Sequence, residues 1–346
     1  MLYEQILETL HAYDKIELIC KEYYELPKTP QALEAFFQKY KDIPESATIS
    51  VLHPEILEDH LAEHNYILPG RNVAITHPPR FAPGFHHDHH FFEMIYVLSG
   101  TCTQIFSDKT ITLKQGDLCI MAPGVTHAIE VYDESVILNI MIRQSTFLDI
   151  FLNTVRDKTQ ISMFFLNNIY EKDKIPYLLF HTGEDLKIRN YILDMYIEQL
   201  EGDEYSDRII CSILTIFFTQ LIRLHQKNME IPAAQNSRSK YETEVFNYIV
   251  NHYATVTLEG VAEHFHFSVP YCSKLIKKVS GQNFSNLLEN VRLQQGENFL
   301  RFTKLSIAEI SDRIGFKNSE TFIRMFKRRH NMTPTQFRKI NTEIEL

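Results

Sequence analysis

The sequence predicts an α+β multidomain protein: a small helical N-terminal segment, a β-barrel or sandwich with flanking helices, and an all-α C-terminal region. Three observations carry this. Between about Asn72 and Ile142, short β-branched or alternating runs are punctuated by Gly, Asp and Pro roughly every 8–12 residues. On either side, apolar residues recur at helical spacing. Charge is also divided: from Ser237 onward there are 16 Lys and Arg against 11 Asp and Glu, a net of +5, while the rest has 19 against 33, a net of −14. The overall charge of −9 hides a basic end on an acidic body, the distribution expected of one polyanion-binding module.

Residues 1–68 place Leu2, Ile6, Leu10, Ile16 and Ile19 on helical faces, then Leu33, Phe36 and Phe37 after the Pro27–Pro30 break; a third helix is expected from Pro54 to His64. Residues 69–143 give seven strands: VAIT, EMIYVLSG, CTQIFS, TITLK, DLCIMA, HAIEVY and VILNIMI. Residues 144–228 return to helical spacing in three segments, the last from Asp207 to Gln226 and nearly all apolar. A helix that apolar needs a partner, either the barrel or the same helix of a second subunit. Residues 229–239 read as a polar linker, and 240–346 as an all-helical domain.

No apolar run reaches the ~18–20 residues that span a bilayer; Ile209–Ile222 is the most apolar and opens beside Asp207 and Arg208. The first residues, MLYEQILETLHAYDK, form an acidic amphipathic helix, so no signal peptide is expected. Five cysteines (20, 102, 119, 211, 272) without regular spacing suit free thiols in a reducing cytosol. GxSxG, P-loop, GxGxxG and HExxH patterns are absent.

The basic end uses one device twice, TLEGVAEHFHFSVPYCSKLIKK and LSIAEISDRIGFKNSETFIRMFKR: a short helix, a tight turn, then a helix rich in Lys and Arg. This is the layout of a helix-turn-helix, whose second helix enters the major groove. In the first copy Thr257 caps, Leu258, Val261 and small Ala262 pack inward, and Ser268 caps a second helix opened by Pro270. Tyr271, Leu275 and Val279 are expected in the core. Val269, Pro270, Ser273 and Lys274 are placed for base edges, Lys277 and Lys278 for phosphates. In the second copy Ser306 caps, Ile307, Ile310 and Ile314 pack, Ala308 is the small residue, and Gly315 supplies a positive φ in the turn. Phe316, Phe322 and Phe326 are core positions. The outward set is Asn318, Ser319, Glu320, Ile323, Arg324, Lys327, Arg328 and Arg329, with Arg324 suited to bidentate pairing with guanine. A single helix over Phe284–Leu300 would hold the two heads apart. Each copy alone is also compatible with a helical hairpin bearing a solvated basic face.

The run from Lys240 to Ile340 resembles the C-terminal domain of the AraC/XylS family of bacterial regulators. Gly315-Phe316, Phe322, Phe326-Lys327, Thr333-Pro334 and Phe337-Arg338 stand where that family's signature has them. Departures are Thr321 (usually aromatic), Asn331 (usually Gly), Lys274 (usually Arg), and Cys272 and Ile276 in place of bulkier residues. The resemblance implies double-stranded DNA as partner, a homodimer, and RNA polymerase as a further partner if the chain activates, as that family usually does.

A second constellation, HHDHHFFEMIYVLSG followed by GDLCIMAPGVTH, spaces His87, His89 and Glu93 as HxHxxxE and ends in His127. It resembles the cupin motif pair, in which three His and one Glu converge on a metal inside a small β-barrel; Phe81 replaces the usual leading Gly, Ala122 a common Pro, and Val131 the usual terminal Asn. Imidazoles with one carboxylate suit Fe, Mn, Zn or Ni. Such residues also line ligand pockets or serve the barrel's packing, so no cofactor is required; a divalent metal or a small-molecule effector is the alternative use. His86 and His90 alternate away from the set. Arg80, standing alone, reads as a solvated surface residue, or as a contact for an anionic ligand or the DNA-binding domain.

The expectation is a ligand-responsive, sequence-specific DNA-binding regulator acting in the cytoplasm without a membrane and without catalysis. The rival is a metal-dependent cupin enzyme fused to a DNA-binding domain. A third reading gives residues 1–68 a protein partner.

Overall fold

The computed structural model describes residues 2–41, 60–147, 150, 164, 175–232, 240–303 and 305–343. Its residues group into two compact units, Met1–Ile67 with Val73–Arg143 and Tyr177–Ile231, and Leu68–Asn72 with Gln144–Pro176 and Pro232–Leu346.

The first unit opens with α1 (Leu2–His11), α2 (Lys15–Glu25) and α3 (Pro30–Lys39). Asp14 and Glu17 form a reciprocal capping box at the start of α2, and Thr29 caps α3 ahead of Pro30. Most of the helix expected at 54–64 falls outside the described residues; its end is the short strand β1 (His60–Leu61), followed by α4 (Glu63–Tyr66).

All seven expected strands are present as β2 (Val73–Thr76), β4 (Phe92–Ser99), β5 (Thr101–Phe106), β6 (Thr110–Lys114), β7 (Asp117–Met121), β8 (His127–Glu130) and β9 (Val136–Ile142). With β3 (Asp88–His89), β10 (Tyr177–His181) and β11 (Met229–Glu230) they form a six-stranded sheet, order β11-β10-β7-β4-β9-β2, a three-stranded sheet, order β6-β5-β8, and the parallel pair β1-β3. Alternation along the strands turns Ile95, Val97, Cys102, Phe106, Cys119, Met121, Ile137, Tyr177 and Leu179 into one apolar interior. Two sequence expectations change here. A strand, β10, sits inside the region read as helical, and Met229 and Glu230 pair with it instead of starting a free linker. Residues 233–239 of that linker lie outside the described set.

Helices α5 (Leu186–Glu201) and α6 (Ser206–His225) pack on each other and on β2. The edge strand β2 leaves the backbone of Ile75 unpaired by any strand; Gln199 of α5 meets both groups, at 2.6 Å each. Contrary to the length expected from the sequence, Ser206–Asn228 is long and apolar enough to cross a bilayer by length and composition. Its Ile210, Leu214, Phe217, Phe218 and Leu221 are nevertheless buried within the protein.

Arg80 overturns its reading as a solvated residue. It is 1% exposed, its Nε and Nη2 reach the two Glu17 oxygens at 2.7 and 2.8 Å, and Nη1 and Nη2 donate to the carbonyls of His11 and Ala12. Burial alone would raise the Glu17 carboxyl, but the hydrogen bonds from Arg80 and from the Asp14 amide hold it below its usual range. Beside it Phe81 takes φ 63°, rare for a bulky residue, and buries its ring among Tyr13, Ile19, Cys20 and Phe36.

The second unit contains α7 (Lys240–Asn251), α8 (Leu258–His264), α9 (Val269–Ser280), α10 (Phe284–Phe302), α11 (Ile307–Arg313), α12 (Ser319–His330) and α13 (Pro334–Glu343). The repeat is literal. Thr257 and Ser306 cap α8 and α11, Ser268 and Asn318 cap α9 and α12, and both of these close on a left-handed residue, Gly281 and Asn331. Val261 matches Ile310, Cys272 matches Phe322, and Ile276 matches Phe326, all buried. Ala262 is the small buried residue in the first copy, as expected. In the second that place belongs to Ser311, while Ala308 is exposed.

Each turn between paired helices holds one positive φ, 56° at His266 and 84° at Gly315. A Cβ on Gly315 would lie 2.0 Å from the Ala254 carbonyl oxygen. Gly315→Ala is therefore expected to destabilise the domain by about 2–4 kcal/mol, read by denaturant unfolding. His266→Gly, relieving a left-handed side chain, should be neutral or stabilising by about 1 kcal/mol. Equal and small losses from both would contradict this account of the turns.

Candidate DNA-reading surface and histidine cluster

Capping and the small inward residues fix where each reading helix starts and which face it hides. On α9, Cys272, Leu275 and Ile276 are buried, leaving Val269, Pro270, Lys274, Lys277 and Lys278 exposed and Ser273 half-buried. Tyr271 was expected in the core with Leu275; it is 50% exposed, because Cys272 and Ile276 take the inward row beside Leu275. The side chain of Val279 lies outside the described set. On α12, Phe322 and Phe326 are buried, Asn318, Glu320, Arg324, Lys327, Arg328 and Arg329 are exposed, and Ser319 and Ile323 are half-buried.

Exposure alone does not make a cation available. Arg328 is paired with Glu289, Arg329 Nη1 donates to Asn290 at 3.0 Å, and His330 Nε2 meets Glu297 at 2.8 Å, all three partners lying on α10. Arg328 therefore faces the connecting helix instead of standing free for phosphate. Asn318 is likewise partly engaged, its Oδ1 accepting the Thr321 amide at 2.8 Å as the α12 cap. Lys274, Lys277, Arg324 and Lys327 have no ion pair among the described residues. The two helices thus each present an uncommitted cationic row, with α9 offering apolar groups and α12 offering Glu320, Ile323 and Arg324 in the first turns.

In the β-domain, His87 just ahead of β3, His89 on β3, Glu93 on β4 and His127 on β8 come together. His89 Nε2 and His127 Nε2 lie 3.0 and 2.8 Å from the same oxygen of Glu93, and one donor atom from each of His87, Glu93 and His127 lies within 4.8 Å of the others. All four are buried, and His86 and His90 are exposed, as their alternation predicts. The tautomers follow from the backbone. Each ring's Nδ1 faces a carbonyl oxygen, Phe85 for His87 at 3.1 Å, Phe91 for His89 at 2.8 Å and Val125 for His127 at 3.0 Å. A carbonyl only accepts, so Nδ1 carries the proton and each Nε2 is left for the cluster. Asn139 supplies a further donor to the other Glu93 oxygen, a residue the sequence reading missed; its pairing opposite Ile95, next to Glu93, on β9 is the register that brings it there.

Burial would raise Glu93, but His127 and His89 hold it well below the usual carboxylate range. His127 is raised despite burial, through Glu93, and His87 is pushed down to about 4 by burial and by His127. The His127 Nε2 lacks hydrogen-bond alignment with any partner among the described residues. The His87 and His127 nitrogens with a Glu93 oxygen, and His89 beside Glu93, are a donor set that fits a first-row divalent cation.

Residues 261–340 match a helix-turn-helix domain family, and residues 74–141 match the cupin domain family. The HTH-type transcriptional activator RhaS of Escherichia coli O1:K1 is 23% identical over 276 residues, covering 78% of this chain and 94% of that protein. The RhaS of Escherichia coli O81 (strain ED1a) is 24% identical over 278 residues. Among solved structures, the C-terminal domain of AraT, a response regulator from Geobacillus stearothermophilus, is 34% identical over 30% of this chain and 88% of its own, at a TM-score of 0.29. ToxT from Vibrio cholerae is 12% identical over 78% of this chain and 97% of its own, at 0.31. With both domains matched and a relative aligned along most of its length, the chain is a DNA-binding transcription regulator of the AraC type, a cupin domain joined to a helix-turn-helix domain.

Proposed function

We propose that this regulator is a ligand-responsive activator, working in the cytoplasm as a homodimer, that switches DNA presentation on occupancy of its cupin barrel and carries no catalytic activity. The observation that carries the reading is the pairing, in one chain, of two reading helices that each keep exposed cations without an ion pair among the described residues (Lys274 and Lys277, Arg324 and Lys327) with an enclosed histidine and carboxylate cluster. The similarity to RhaS, a transcriptional activator, supports the activating sense; RNA polymerase is the partner an activator would meet. Exposed Ile209, Ile216 and Leu224 on α6, about one heptad apart, support contact with a second copy.

His87, His89, Glu93 and His127 would hold a divalent cation, which as a Lewis acid would anchor an oxygen of an effector. The protein's own part is to fix the tautomers through three carbonyls and to keep water out by burial. An effector acts only through differential affinity for two arrangements of the protein. The enzyme reading rests on the same cluster, without a further acid or base that the geometry singles out.

Two measurements test this. In binding of the full chain to a duplex selected from a random pool, Lys327→Ala should weaken affinity for all sequences and lower the salt slope by about 1. Arg328→Ala, already paired with Glu289, should change the slope less; the reverse order would contradict the placement. Titration of chelated protein with Mn2+, Co2+ or Zn2+ should give one ion per chain, weakened at least tenfold by His127→Ala. Loading should change duplex affinity by about 5–150-fold. Tight loading with unchanged duplex affinity would favour the enzyme reading instead.

A further inference from the structure

The acidic groups around the reading heads are unevenly placed. Glu259, Glu263, Glu309 and Asp312 all belong to the first helices of the two pairs, and Glu309 closes the capping box of α11. On the two helices that face DNA there is one carboxylate, Glu320, set among Lys274, Lys277, Lys278, Arg324, Lys327, Arg328 and Arg329.

A carboxylate on a surface meant for a polyanion opposes binding. The usual structural reason for an acid in a first helical turn is a cap or the helix dipole. Here the cap is already made, because Asn318 accepts the Thr321 amide. Glu320 itself is exposed and makes no hydrogen bond or ion pair among the described residues. It lies one turn before Arg324 on the same face, and the equivalent place in α9 is the uncharged Pro270.

Groove chemistry supplies a reason beyond the helix dipole, which an acid anywhere in the first turn would satisfy. A carboxylate accepts from the cytosine N4 amino group, whereas guanine O6 and N7 and thymine O4 are acceptors that repel it. Adenine offers its N6 amino group with N7 beside it, so a carboxylate meets one donor and one acceptor there. Resting on the DNA-reading assignment above, we propose that Glu320 is a specificity-determining residue that selects a cytosine in the half of the site read by α12, beside the guanine read by Arg324. Its presence lowers affinity for every other sequence.

The test uses the full chain, a duplex selected from a random pool, single base-pair substitutions along it, and Glu320→Ala, Glu320→Gln and Arg324→Ala. Wild-type protein should require cytosine at one position, by about tenfold or more. Glu320→Ala should relax that position alone and bind random duplex several-fold tighter, with an unchanged thermal midpoint in the absence of DNA. Glu320→Gln should move the preference there to adenine, the base that a carboxamide reads at two points. Arg324→Ala should relax a neighbouring guanine. The proposal is overturned if Glu320→Ala weakens all sequences equally, if no position relaxes, or if the free protein loses thermal stability. Absence of any preferred duplex for wild type, with Arg324→Ala also without effect, would overturn the DNA-reading assignment itself.

Discussion

The spacing of the two reading helices depends on one backbone oxygen. The carbonyl of Ala254, just ahead of the first helix-turn-helix, accepts Arg292 Nη2 from the middle of α10 at 3.1 Å, while Arg292 Nε takes the neighbouring Tyr253 carbonyl at 2.8 Å. The same Ala254 oxygen sits against the second turn, where only a residue without Cβ fits, Gly315. First head, connecting helix and second turn therefore meet at a single peptide. Further along α10, Gly296 lets the Phe322 ring approach to where a Cβ would stand 2.8 Å away. At 19 residues the helix is about 28 Å long, of the order of one DNA turn. A closely packed strut of that length gives the pair of heads a register that neither has alone.

Much of this was legible because local rules and the fold agree. Three caps (Thr257, Ser268 and Ser306), Pro270, Gly315 and the inward Val261, Ala262, Leu275, Ile310, Ile314, Phe322 and Phe326 are where periodicity and turn chemistry place them, while the fourth cap, Asn318, reads from the sequence as an outward residue. The seven strands were visible as short runs between turn residues. What escaped was non-local. Strand β10 is a single short apolar run whose identity depends on pairing with β7, although Pro176 and Gly183 bracket it as they would a strand. The burial of Arg80 depends on Glu17 and on two carbonyls far away in sequence. Tyr271 shows a subtler limit: a row spaced by four on a helix leaves two faces possible, and Cys272, small and easily overlooked as core, marks the true one.

The histidine cluster was legible in composition and spacing; its proton inventory was not. Three carbonyls, each two residues from its ring in sequence, dictate which nitrogen faces Glu93. Loops of that shape set each tautomer without any distant partner, whereas Asn139 required the β4–β9 register. The same separation runs through the reading surface. Charges turned toward α10 are consumed in holding the domain together, and charges turned away are left for a partner.

A strut of this length would let both heads engage one duplex together. Methylation-interference and hydroxyl-radical footprinting of the full chain on its selected duplex measure this most directly. Two protected major-groove segments are expected on one face of the DNA, about 10 base pairs apart centre to centre. A single protected segment, or two on opposite faces, would contradict it.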